Sequence, residues 1–130
     1  MNIWREKYLP DREKFKKETW AWLETILGVI PGKTGNFFRG FLYGLLFPTF
    51  RGKKTSIGQL THIWFPWNIF IGSYSHIGKG THLSCLQYGD LIIGSYVMIS
   101  PYCMVTASGH SFDSIDTPMV TQGMFSNKRL

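Results

Sequence analysis

From Ile57 onward one pattern dictates what the chain can become: an aliphatic residue recurs every six positions, often followed by Gly, with a small residue four places after it. The units read IGQLTH from Ile57, IGSYSH from Ile71, IGKGTH from Ile77, IGSYVM from Ile93 and ISPYCM from Ile99, while Ile63, Leu83 and Val105 continue the aliphatic ladder. Such a step fits neither the period of an α-helix nor the alternation of a half-buried strand. It fits a triangular coil of short flat strands, each pointing one aliphatic side chain inward, with corners that admit only small groups such as Thr61, Ser75, Thr81, Val97 and Cys103. Two interruptions, near Phe65–Phe70 and from Cys85 to Ile92, carry turn or bulky residues (Pro66, Asn68, Gly89, Asp90) and read as loops leaving coil corners. Roughly three coils are encoded, about the minimum that buries a continuous core.

Three segments follow from this texture: a basic, aromatic-rich helical lead-in over residues 1–56, the repeat over 57–109, and a polar segment over 110–130. After Pro10 and Asp11, apolar residues at Phe15, Trp22, Leu23, Ile26 and Ile30 have helical spacing, and the Gly28, Pro31, Gly32 cluster ends that helix. A second helix is expected from Gly35 to about Phe47, apolar nearly all round through Phe37, Phe38, Phe41, Leu42, Leu45 and Leu46. A helix of that kind needs cover. One reading places it over the blunt end of the coils, which would otherwise expose strand edges and core side chains. Another lays it in a headgroup region, with aromatic residues inserted and Arg39, Arg51, Lys53 and Lys54 meeting anionic lipid.

Charge separates the segments. Through Ser56 there are eleven Lys/Arg against five Asp/Glu, and from Ile57 three against three, so the formal net charge of +6 resides in the lead-in. That concentration points either to an anionic neighbour, such as a phospholipid surface, nucleic acid or acidic glycan carrier, or to a solvated helix face. No RRM, HTH or KH pattern accompanies it, so no nucleic-acid partner is expected. Residues Met1 to Lys17 are too charged for a secretory signal, and the apolar run Phe37–Phe50, broken by Arg39 and Pro48, is too short to span a bilayer. The two cysteines, Cys85 and Cys103, lack CxxC or Cys/His spacing and read as structural in a reducing cytoplasm.

Periodicity stops at VTASGHSFDSIDTPMVTQG, from Val105 to Gly123, where polar residues converge. This stretch, with its histidine, nearby acid, T-P and Q-G, resembles the loop that follows a coil in the hexapeptide-repeat (left-handed β-helix) O-acetyltransferases. Within that family it is most similar to the sugar and polysaccharide-biosynthesis branch, of the colanic acid, lipopolysaccharide, maltose, galactoside and xenobiotic acetyltransferase kind. The lead-in PGKTGNFFRGFLYGLLF, from Pro31 to Phe47, resembles the helical entry of the polysaccharide members.

The resemblance implies a mainly β fold, a left-handed parallel β-helix behind an N-terminal α-helical lead-in. It also implies an acetyl-CoA-dependent transfer of an acetyl group to a hydroxyl of a saccharide or polysaccharide precursor. His110 takes the family's general-base position: a near-neutral pKa lets imidazole accept the proton of an attacking hydroxyl. Asp113 is a candidate to orient the imidazole or contact the acceptor, or else a turn former, and Phe112 and Tyr102 are candidates for the acceptor pocket or for ordinary packing. Ser108 stands where some relatives carry a second histidine.

His62 and His82 fall on one prism face, one coil apart, and His76 on another; the zinc-hydration chemistry of the γ-class carbonic anhydrases, which share the fold, lacks its ligand context here, and no metal is expected. The sequence ends at Lys128, Arg129 and Leu130 where the resemblance expects another coil. On that expectation the chain is C-terminally truncated, the acetyl-CoA groove lies mainly in coils beyond Leu130, and the complete protein is a homotrimer in the cytoplasm or at the inner face of the membrane. A non-catalytic, truncated β-helix module that scaffolds or docks at membranes is the competing class.

Overall fold

The computed structural model describes residues 11–50, 52–85 and 90–126. Arg51, Gly89 and the terminal Lys128, Arg129 and Leu130, to which the sequence reading also assigned roles, lie outside the described residues. Two helices, α1 (Asp11–Gly28) and α2 (Gly32–Leu46), precede eight short strands: β1 (Ser56–Ile57), β2 (His62–Trp64), β3 (Ile69–Ile71), β4 (His76–Ile77), β5 (His82–Ser84), β6 (Leu91–Ile93), β7 (Met98–Ile99) and β8 (Met104–Thr106). A hairpin of β9 (Ser108–His110) and β10 (Met124–Ser126) follows.

The eight strands are dealt in rotation to three parallel sheets, ordered β1-β4-β7, β2-β5-β8 and β3-β6. The six-residue step explains this. Each hexapeptide supplies one short strand and one corner, so every third strand returns to the same sheet one layer on. Ile57 is in register with Ile77 and Ile77 with Ile99; Ile63 is in register with Leu83 and Leu83 with Val105; and Ile69 and Ile71 are in register with Leu91 and Ile93. The inward aliphatics thus form continuous columns, with Ile57, Ile63, Ile69, Ile77 and Leu83 fully buried. Thr61, Ser75 and Thr81 are buried at the small positions as expected, whereas Val97 and Cys103, one layer further on, are half-buried.

Corners are tight enough to force the left-handed backbone region on ordinary residues: Leu60, Tyr74, Tyr96 and Tyr102 all have φ near +58°, at the fourth position of their hexapeptides. Side-chain columns help hold them there. Tyr74 and Tyr96 stack with centroids 5.2 Å apart, and the Tyr102 ring lies where a Cβ on Gly80 would come within 2.5 Å of it. The first interruption leaves its corner as a 3-10 turn over Pro66–Asn68.

Both helices cap the starting end of the stack, in keeping with the reading that set the second helix over the blunt end of the coils. The helical spacing noted for α1 holds, but of its apolar residues Leu23 packs while Phe15, Trp22 and Ile26 are exposed, and Trp20, Glu24 and Leu27 join Leu23 toward the sheets. Helix α2 starts at Gly32, ahead of the expected Gly35, and packs through Gly35, Arg39, Gly40 and Tyr43 while Phe37, Phe38 and Phe41 point outward. The cause is close approach. A Cβ at Gly40 would sit 1.9 Å from the Thr55 carbonyl oxygen, so the helix rests on the chain entering β1 at a point that only glycine allows.

Hydrogen bonding completes the cap. In a parallel ladder alternate residues bond to opposite neighbours, so strands that open a sheet leave groups unpaired. Ser56 and Gly58 donate forward to the next layer, and Ile57 faces back; its carbonyl accepts from Arg39 Nε at 2.9 Å. Ile63 likewise faces back, its carbonyl accepting from Trp20 Nε1 at 2.8 Å and its N–H donating to the Glu24 carboxylate.

Arg39 is only 1 % exposed and also donates to the carbonyls of Leu27 (3.1 Å) and Ile30 (2.5 Å) and to Asn36 Oδ1 (2.7 Å). Burial lowers its pKa, and no carboxylate among the described residues pairs with it; the carbonyls at the end of α1 and in the turn beyond supply the compensating negative dipoles. The sequence reading that turned Arg39 toward lipid is thereby corrected. Among the described residues, no helix is long and apolar enough to cross a membrane.

Candidate active site

His110 sits where the parallel winding ends. Ala107, 2 % exposed, donates its N–H to the Ser84 carbonyl at 2.9 Å, the last bond to the layer beneath, and the chain then turns away. Thr106 Oγ1 accepts from Ser108 N at 3.3 Å and lies 3.2 Å from Ser108 Oγ, fixing the bend at its start. The polar segment is entered by strand β9, which pairs antiparallel with β10 so that His110 is opposite Met124 and Ser108 opposite Ser126.

Gln122 holds the excursion between the two strands. Its side-chain oxygen accepts from Ser114 N (3.1 Å), and its Nε2 donates to the carbonyls of Ser114 (2.8 Å) and Thr117 (2.7 Å). Gly123, at φ +90°, reverses the chain into β10, and its carbonyl accepts from Ser111 N at 2.9 Å. Pro118 opens the 3-10 turn Met119–Thr121. The T-P and Q-G stretches therefore have a physical role: they shape the segment that follows His110. Gln122 was visible only as a letter in a motif, since nothing in its local pattern shows that it bridges eight residues.

The predicted site residues are distributed unevenly around this hairpin. His110 is exposed, and its ring forms no hydrogen bond or ion pair with another described residue. Asp113 and Phe112 follow it on the exposed outer segment, and no hydrogen bond joins Asp113 to the imidazole. Ser108 is half-buried, two residues before His110 on the same strand. Tyr102 belongs to the corner between β7 and β8, over Gly80, and makes no ring contact with His110 or Phe112.

A second cluster of titratable groups joins His62 and His82, which share one face a layer apart as their spacing indicated, to Glu24, which the sequence did not bring there. Glu24, 5 % exposed, lies 2.9 Å from His62 Nδ1, and the His62 ring is 4.8 Å from that of His82 in the next layer. The hydrogen bond to Glu24, outweighing the cost of burial, raises the His62 pKa; burial and then the charge of His62 lower that of His82. Trp20, Trp64, Phe65 and Trp67 wall an adjoining cavity of about 260 Å³, with the Lys17 ammonium 4.5 Å from the Trp64 ring centre. Glu24 is committed here to the Ile63 amide, so the cluster serves to dock α1 on the stack.

His76 faces another sheet, its Nδ1 2.7 Å from Ser56 Oγ, and Ser56 is buried, which keeps that hydroxyl from any substrate. The Cys85 thiol, buried against the Trp64 and Phe65 carbonyls, is pushed up to about 12 by burial and then by Asp90. A thiolate nucleophile at neutral pH is thus disfavoured there. Among the described residues, no group of three or more His, Cys, Asp or Glu side chains could hold a metal ion. Comparison of this chain with protein-family models, curated proteins and solved structures finds no match.

Proposed function

We propose that this chain is an acetyl-CoA-dependent O-acetyltransferase acting on a hydroxyl of a saccharide or polysaccharide precursor, built on a left-handed parallel β-helix, with His110 as general base. The observation that carries the reading is the placement of His110. It is a solvent-accessible imidazole, unpaired among the described residues, at the point where the winding ends, on a hairpin shaped by the same T-P and Q-G residues that carry the family resemblance.

In the proposed step, an imidazole nitrogen of His110 takes the proton of the acceptor hydroxyl as the hydroxyl oxygen attacks the thioester carbonyl carbon. The tetrahedral oxyanion then collapses, the carbon–sulfur bond breaks, and the imidazolium returns the proton to the departing thiolate. Products are the acetyl ester and coenzyme A, with no net proton and no covalent enzyme intermediate. Donors for the oxyanion would come from backbone N–H groups of neighbouring coils or of a second subunit in a homotrimer. Phe112 and Asp113, which follow His110 on the exposed segment, are assigned to the acceptor side, with Ser108 and Tyr102 as outer contacts.

Thiol release from acetyl-CoA, measured with a panel of nucleotide sugars and oligosaccharides, tests the reading. Turnover that falls roughly a hundredfold or more in His110→Ala is expected; turnover unaffected by the substitution would refute His110 as the base. A non-catalytic module is the second reading, favoured by the half-exposure of Ile99 and Val105, whose column partners one layer back are fully buried. Absence of turnover in both proteins would favour it.

A further inference from the structure

The capping geometry leaves a surface that neither catalysis nor folding uses. With Trp20, Glu24 and Leu27 turned to the sheets, α1 presents Phe15, Trp22 and Ile26 on the opposite side, with Val29 in the turn just beyond it, each more than half exposed. Spacing of seven and four residues puts the three helical ones in one stripe. On α2, Phe37, Phe41 and Leu45 form a second stripe at four-residue intervals, flanked by Phe38, opposite the buried Arg39 and Tyr43. Both helices bond to the same end of the stack, at Ile57 and Ile63, so both stripes lie on the side turned away from the sheets. Isolated exposed apolar residues are ordinary, but two aromatic stripes on helices that touch through Trp20 and Tyr43 amount to an interaction surface.

Charge selects the occupant. Helix α1 has an exposed Glu18 bonded to the Trp22 indole at 3.3 Å, but between Glu24 and Asp90, the span that holds α2, the chain contains no Asp or Glu, while Lys33, Lys53 and Lys54 are exposed. Lys33 lies at the start of α2, and Lys53 and Lys54 form a corner of the first layer, the Lys53 carbonyl accepting from Tyr74 N at 2.9 Å. A second copy of the chain docked stripe to stripe would bring lysines against lysines, whereas an anionic bilayer satisfies both the apolar stripes and the cations. Neither helix can cross a membrane, so the helices would lie along its surface.

We infer that α1 and α2 form a platform that seats the protein on a bilayer containing anionic phospholipid. This inference stands independently of the acyltransferase reading. The side chains of Phe37, Phe41 and Leu45 enter the boundary between headgroups and acyl chains, and the lysines hold the headgroups.

The test is flotation of the full chain with vesicles of phosphatidylcholine alone or mixed with phosphatidylglycerol, with circular dichroism to establish that each variant is folded. Binding to the mixed vesicles is expected. It should weaken at least tenfold in Phe41→Ser/Leu45→Ser, by roughly twentyfold in Lys53→Ala/Lys54→Ala, and not at all in Ile115→Ser, an exposed apolar residue on the hairpin. Three results would overturn the inference: no flotation with the mixed vesicles, equal binding to both vesicle types, or equal loss in Ile115→Ser. Sedimentation showing a lipid-free oligomer that Phe41→Ser/Leu45→Ser dissolves would overturn it too, by assigning the stripes to a second copy.

Discussion

Glu24 ties three things together: the Ile63 amide, the His62 imidazole and the position of α1. Because Glu24 raises the His62 pKa, the folded chain holds a proton there that the unfolded chain releases near pH 6.5. That contribution to stability is complete below about pH 6.5 and is lost as the pH rises through the raised value. His82 acts in the opposite sense: its lowered pKa means that stability falls as the pH drops from about 6.5 through the lowered value. NMR titration should find His62 above its ordinary pKa and His82 below it, and Glu24→Gln should bring His62 down. An unmoved His62 titration in that variant would contradict the pairing. Arg39 is the other residue on which the cap depends. Arg39→Leu leaves the Ile57, Leu27 and Ile30 carbonyls without their donor, and urea denaturation should show a loss of about 3 kcal/mol. Neither residue was legible as a cap from the sequence, because each bonds to strand backbone far along the chain, and backbone carries no sequence signal.

Among the elements, the strands were legible and the helix faces were not. An aliphatic residue every six positions names the inward side chain of each strand without reference to anything distant, and the columns from Ile57, Ile63 and Ile69 bear it out. Apolar residues nearly all round α2 named no packed face, and the close approach at Gly40 and the polar caps decided it. The hairpin was missed for a related reason. Its order comes from Gln122, a side chain serving as backbone partner to Ser114 and Thr117, and no periodicity announces such a role. Gln122→Ala should therefore free the segment after His110 while sparing the sheets. Hydrogen exchange at the Ser114 amide should accelerate at least tenfold, with the Leu83 amide unchanged; equal exchange in both proteins would remove Gln122 from this role.

At the scale of the molecule, burial is graded along the stack. Inward residues are sealed at the helix-capped end and in the middle layer, and half-exposed at Ile99 and Val105. Stability should follow that gradient, since a residue packed on both sides loses more when truncated. Ile77→Ala is expected to cost about 3 kcal/mol and Val105→Ala well under half of that, by urea denaturation; equal costs would contradict the gradient. The measurement that bears most directly on the central claim is mass spectrometry of saccharide acceptors incubated with acetyl-CoA and either this chain or His110→Ala. The account predicts an O-acetyl ester on the acceptor with the unaltered chain, strongly diminished with the variant. Equal product from both, or thiol release with no acetylated saccharide, would contradict it.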